Sequence, residues 1–144
     1  MITYDDMILK LLLAVIFGGL IGLEREIQKR EAGLRTHILV CLGSTLIMLT
    51  SIYIFDIYKD VGNLDPSRIA AGVMTGIGFI GAGAIIKNKD SVKGLTTAAS
   101  IWIVASIGLA IGCGFIYAAL ITTVFVLIVL LVLRHIEKFI IKKC

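Results

Sequence analysis

Residues 7–26 read Met7-Ile8-Leu9-Lys10-Leu11-Leu12-Leu13-Ala14-Val15-Ile16-Phe17-Gly18-Gly19-Leu20-Ile21-Gly22-Leu23-Glu24-Arg25-Glu26. From Met7 to Leu23 the stretch holds one charge, Lys10, and then stops abruptly in three charged residues. A helix needs about 20 consecutive apolar residues to cross the hydrocarbon of a bilayer. The run therefore reads as a membrane helix whose end is marked by Glu24-Arg25-Glu26. It follows Asp5 and Asp6 rather than a basic segment, and no small-residue cleavage site closes it. A retained helix is expected, not a cleaved signal peptide.

The same pattern recurs. Apolar runs cover residues 7–23, 36–55, 69–86, 95–112 and 115–133. The last two are separated by Cys113 and Gly114, where a tight turn is expected, because one continuous helix would overrun the bilayer. The chain has 144 residues, 58% of them hydrophobic, with a mean hydropathy of +1.01. A soluble domain of this size has too little interior for so much apolar surface. The expected fold is an all-α integral membrane bundle of about five transmembrane helices in a single domain, residues 1–144. Residues 134–144 would form a short basic tail.

Charge sets the expected orientation. Eleven of the 14 Lys and Arg fall in the connections after the first and third runs and after the fifth. Lys10, Lys59 and Arg68 lie on the other side. Lys/Arg excess marks the cytoplasmic face. All four tyrosines, Tyr4, Tyr53, Tyr58 and Tyr117, sit at the opposite ends, as an interfacial aromatic belt does. Both signals give N-terminus out and C-terminus in, across a bacterial cytoplasmic membrane. The net charge of +4 is clustered between apolar runs rather than spread on one face, so no nucleic-acid partner is expected.

Small residues suggest where helices meet. The third run carries Gly72, Gly76, Gly78, Gly81 and Gly83, the first Gly18 and Gly22, the fourth Gly108 and Gly112. Small residues let membrane helices approach closely. The third helix is accordingly expected at the centre, with the first and fourth against it and the fifth facing lipid. The sharper reading of the third run is an unwound helix whose carbonyls line an ion path. Thr75, Thr96, Thr97 and Ser100 could add hydroxyl ligands, or simply bond to backbone or a neighbouring helix. Trp102, deep in the fourth run, is read as a packed anchor.

Two charged clusters stand out. Glu24, at the hydrocarbon edge, needs a partner such as Arg25 or Arg35; the plainer reading is a solvated anchor. On the outer side Asp65-Pro66-Ser67-Arg68 opens the third helix, with Asp65 as cap. Arg68 in a first helical turn opposes the helix dipole and calls for an acid. A metal ligand set is not specified; an outer acidic cluster holding a divalent cation is a minor reading. His37 and His135 fit no metal or triad pattern, and no nucleophile motif, phosphate loop or dinucleotide fingerprint occurs. Neither an enzyme nor a cofactor is expected.

Gly19-Leu20-Ile21-Gly22 resembles Gly78-Phe79-Ile80-Gly81, and Gly33-Leu34-Arg35-Thr36 resembles Gly94-Leu95-Thr96-Thr97. Both copies place an outward-to-inward helix, a basic loop and a returning helix in the same order. Two parallel hairpin repeats plus one helix are one reading of this; chance similarity in a glycine-rich chain is the other.

Gly22-Leu23-Glu24-Arg25-Glu26, Ala32-Gly33-Leu34-Arg35-Thr36-His37, Asp65 to Ala71, Gly76 to Gly83, and Gly94 to Ala99 with Trp102 together resemble the membrane domain of the MgtC/SapB family. The resemblance covers residues 7–115. It implies a bacterial membrane protein tied to growth when magnesium is scarce, with a virulence branch that restrains the F-type ATP synthase. It lends little support to direct magnesium transport. Members of that branch carry a soluble domain after the last helix, where this sequence holds Arg134 to Cys144. The function expected is a non-enzymatic regulator in magnesium or ion homeostasis, working by helix packing against a second copy or another membrane protein. The alternative is an oligomeric ion transporter or channel with its path along the third helix.

Overall fold

The computed structural model describes residues 3–60, 62, 64–89 and 91–133. It contains five helices, α1 (Tyr4–Ile27), α2 (Leu34–Tyr58), α3 (Ser67–Gly83), α4 (Leu95–Gly112) and α5 (Ile116–Ile128), the last continuing as a π-helical turn over Val129–Leu133. The protein is an all-α membrane protein, and its surface shows why. Phe79, Tyr117, Phe115 and Phe125 are all more than half exposed, as are Ile16 and Leu39. In water so many large apolar side chains would be unprotected. Four stretches, Tyr4–Ile27, Leu34–Tyr58, Leu95–Gly112 and Ile116–Leu133, are long and apolar enough to cross a membrane. The expected basic tail lies outside the described residues.

Local signals fix the helix ends. Thr3 Oγ1 accepts the Asp6 N–H at 3.3 Å, and Asp5 and Asp6 occupy the positive end of α1. At the other end Lys29 takes a left-handed conformation (φ 53). Its N–H reaches the Glu26 carbonyl at 2.9 Å, and the Arg30 N–H reaches Arg25 at 3.1 Å. This is a Schellman ending. The α4–α5 turn uses the same device, with Gly114 (φ +87) bonded to Ile111 at 3.0 Å and Phe115 to Ala110 at 2.8 Å. The tight turn expected around Gly114 is thus a helix cap that leads at once into the next helix.

The third apolar run does not stay helical to residue 86. The α3 helix ends at Gly83, and Ile86–Asn88 (β1) and Ser91–Lys93 (β2) form an antiparallel hairpin pairing Ile86 with Lys93 and Lys87 with Val92. Ile85 and Ile86 extend the apolar pattern, but they are β-branched and precede an Asn-Lys-Asp turn, which favours a hairpin. Gly94 closes it in a left-handed conformation (φ +86), and a Cβ there would run into the Ala84 carbonyl.

The larger correction concerns the centre of the bundle. It is built by α1, α2 and α4, not around α3. Their shared core contains Ala14, Phe17, Ile21, Cys41, Val104, Ile107 and Ile111. Glycines set the spacing. A Cβ on Gly18 would lie 2.8 Å from Cys41 Cβ, one on Gly22 2.9 Å from Leu34 Cα, and one on Gly112 2.6 Å from Met48 Cβ. A Cβ on Gly108 would collide with the Cys41 carbonyl. These are backbone-to-backbone approaches that any side chain would block. In α3, by contrast, only Ile77 and Gly81 are buried. A Cβ on Gly72, Gly76, Gly78 or Gly83 would meet nothing within 4 Å. The α5 helix buries Ala119 and Thr123, followed by Leu130 in the π-turn, and otherwise faces outward.

Candidate functional site

The contacts also give direction. Gly22 meets Leu34 while Gly18 meets Cys41, so α1 and α2 run antiparallel. Gly81 meets Ala98 while Ser106 reaches Met74, so α3 and α4 do the same. His37 meets Ser100 and Thr45 meets Gly108, so α2 and α4 run parallel. The molecule is two helix hairpins in the same orientation, joined along α2 and α4. Gly22 and Gly81 face equivalent places in the two, the first turn of the helix that follows.

At the end of this junction where Gly22 meets Leu34 lies a buried polar cluster. Glu24, Arg25, His37, Thr97 and Ser100 are each at most 6% exposed. Arg25 Nε pairs with Glu24 Oε2, while Glu24 Oε1 has no hydrogen-bond partner among the described residues. His37 Nδ1 lies 2.9 Å from the Gly33 carbonyl, and Nε2 lies 3.0 Å from Ser100 Oγ. Ser100 Oγ in turn reaches the Thr97 carbonyl at 2.8 Å. Beside the cluster, Glu26 Oε2 accepts the Leu34 N–H at 3.0 Å and caps α2. A Cβ on Gly33 would fall on that carboxylate.

About two turns further along, Thr45 Oγ1 donates toward two carbonyls, Cys41 and Gly108, each at 2.9 Å. This hydroxyl fastens α2 to α4 where the backbones are closest. Toward the other end of α2, Ser51 Oγ donates to the Pro66 carbonyl at 2.8 Å and holds the start of α3.

The expected site residues are distributed among these features. Glu24 takes Arg25, not Arg35, as its partner; Arg35 is exposed. The pair is buried, so the solvated-anchor reading of Glu24 does not hold. Thr97 is in the cluster, whereas Thr96 is exposed. Trp102 is 49% exposed on the outer side of α4, so it is not a packed anchor. Gly18 and Gly22 lie against α2, and Gly81 against α4. The α3 helix is continuous from Ser67 to Gly83, so the alternative of an unwound segment does not hold. Gly72 and Gly76 line an apolar groove of about 640 Å³ between α2 and α3, shared with Leu39, Gly43, Ser44 and Ile80. Among the described residues no cluster of three or more His, Cys, Asp or Glu could hold a metal ion.

At the opposite end of the bundle, before α3, Asp65 Oδ1 accepts the Ser67 N–H at 2.9 Å. The Ser67 side chain, then its N–H, hold the Asp65 carboxyl below its ordinary range, and the Arg68 charge acts the same way. Asp65 is fully exposed, so this is a local capping effect.

Sequence reasoning passed over His37, the most connected side chain of the cluster. A signal was present. His37, Cys41 and Thr45 repeat at spacing four on an otherwise apolar helix, and all three are completely buried. Polar residues on one stripe of a membrane helix turn toward protein, not lipid.

This fold and cluster define a polytopic membrane protein of two parallel helix hairpins plus one helix, with a buried polar cluster between the hairpins. The family model described as the MgtC family matches residues 11–139, and the chain belongs to that family. It is 49% identical over 127 residues to the Escherichia coli K12 protein named "Putative magnesium transporter YhiD", covering 87% of this chain and 59% of that one. It is 42% identical over 127 residues to protein SapB of Bacillus subtilis, covering 85% and 54%. To protein MgtC of Brucella abortus it is 42% identical over 121 residues, covering 84% and 48%. The chain thus spans about half the length of the curated relatives it matches. No solved structure matches.

Proposed function

We propose that this chain is a non-enzymatic membrane protein of magnesium or ion homeostasis that acts by packing α3 against a membrane partner. Its N-terminus faces outward, across a bacterial cytoplasmic membrane. The partner is a second copy or another membrane protein; the F-type ATP synthase is the class that the family resemblance brings forward. One observation carries this reading. The glycines of α1 and α4 lie against neighbouring helices, while a Cβ on Gly72, Gly76, Gly78 or Gly83 of α3 would meet nothing within 4 Å. Small residues on a membrane helix favour close helix approach, and here the approaching helix is not supplied by the chain itself. The magnesium link is supported by the name of the Escherichia coli relative.

Replacing Gly76 or Gly78 with Leu tests this. The variants are expected to insert and fold, yet to lose support of growth at low magnesium. Full activity in both would sink the proposal. The second reading, an ion transporter with a path along α3, is favoured by the groove between α2 and α3 and by the same relative's name. Against it, Ser44 supplies the one polar side chain among the residues lining that groove. Magnesium or monovalent-ion flux from folded protein in proteoliposomes would decide for transport.

A further inference from the structure

His37 has no exposed surface, and both ring nitrogens have partners at hydrogen-bond distance. The Gly33 carbonyl has no proton to give, so Nδ1 must carry one. That leaves two states of the ring. In the neutral ring Nε2 is bare, and the Ser100 hydroxyl donates to it. In the imidazolium, Nε2–H donates to Ser100 Oγ.

Ser100 has a single hydroxyl proton and two acceptors for it, His37 Nε2 at 3.0 Å and the Thr97 carbonyl at 2.8 Å. It serves one at a time. With the ring neutral, the proton points to His37. With the ring charged, it points to Thr97. Neither state strands a buried group, because the Thr97 carbonyl also lies inside α4 and accepts the helical N–H four residues on. The charged groups facing the ring both come from α1, Glu24 and Arg25; α4 contributes Thr97 and Ser100, which do not ionise here. The unpaired Glu24 Oε1 leaves the buried cluster with an anionic acceptor to spare.

We propose that His37 is a proton-binding site joining the two helix hairpins: on acidification it takes a second proton at Nε2, and the Ser100 hydroxyl turns from the ring to the Thr97 carbonyl. The proton comes from water and the imidazole lone pair takes it; no other bond changes. The site makes the contact between α2 and α4 depend on pH, whether the chain regulates a partner or carries an ion.

The test uses the full chain, labelled with 15N-histidine, in phospholipid nanodiscs, with His135→Gln leaving one histidine signal. Two-bond 1H–15N correlation spectra report which nitrogens carry protons as pH is lowered. The expected result is a neutral form protonated at Nδ1 that converts to the doubly protonated form while the protein stays folded. A neutral form protonated at Nε2 would overturn the proposal. So would a ring that never takes a second proton in the folded protein. In Ser100→Ala the second protonation should need about one pH unit more acid, because a hydrogen bond made by a charged donor is about twice as strong as a neutral one. Ser100→Thr should restore the original titration. An unmoved titration in Ser100→Ala would show that Ser100 does not take part.

Discussion

The α1–α2 hairpin and the α3–α4 hairpin carry similar glycine signatures and put them to opposite uses. In the first, Gly18 and Gly22 bring two backbones into contact, and a buried ion pair and histidine lie beside Gly22 at the turn end. In the second, Gly81 touches Ala98 loosely, 3.6 Å from an added Cβ to the Ala98 Cβ, and a Cβ on any of the four other glycines would stand in open space. A glycine motif in a membrane helix therefore says that close approach is permitted, not where it happens. The partner helix decides, and α2 is flanked by two helices with glycines, α1 and α4.

The sharpest way to break this contrast is to place the same bulk on both hairpins. Gly22→Leu drives a side chain into the backbone at Leu34 and should cost about 3 kcal/mol or more, read by unfolding in detergent. Gly76→Leu should change the stability of the single chain by less than about 0.5 kcal/mol. Equal losses would erase the difference between the two hairpins.

The paired glycines at the two hairpin turns, Gly33 and Gly94, sharpen it further. Gly94→Ala must hold a left-handed conformation against the Ala84 carbonyl and should cost about 2 kcal/mol or more. Gly33→Ala meets only the movable Glu26 carboxylate, so its cost is that of the α2 cap, about 1 kcal/mol. If the two costs came out reversed, the equivalence would lie in the letters alone. Thr45→Val, which removes the hydroxyl between Cys41 and Gly108, should lose about 1 kcal/mol. A change of similar size and opposite sign is expected from Lys29→Gly. Removing the left-handed lysine should raise stability by about 1 kcal/mol, as already achieved by glycine at the matching cap, Gly114.

The smallest effect is local and acidic. Because hydrogen bonds to Ser67 depress the folded Asp65 carboxyl, its capping contribution is complete above the unfolded value and fades as pH falls through the folded one. Amide exchange at Ser67 should speed up in that acidic window, and Asp65→Ala should remove the dependence. The α1 cap, built on the uncharged Thr3 hydroxyl, has no such titration at its acceptor.

The bundle was legible because apolar length and charge blocks act locally. Each run could be measured against a bilayer without knowing its neighbours. The hairpin after α3 was missed because Ile85 and Ile86 continue the apolar text, and only the turn chemistry of residues 88–91 argues otherwise. The central role of α2 was missed for a different reason. Its surface offers Cys41, Ser44, Thr45 and Met48 to the glycines of its neighbours. These are medium-sized residues with no signature of their own. Glu24 and Arg25 could be named from the edge of a run, but the ring that completes their cluster comes from the next helix.

One feature of α3 has a mechanical consequence. At 17 residues its axis is about 26 Å long, against about 36 Å for the 24 residues of α1. A typical hydrocarbon core is about 30 Å thick. A helix as short as α3 is matched by thinner bilayer than α1 is, so the two flanks of the bundle differ in the apolar height they offer to lipid. Membrane thickness then acts on the molecule as a lateral force, drawing its α3 flank toward thin bilayer and toward any neighbour whose own spans are equally short.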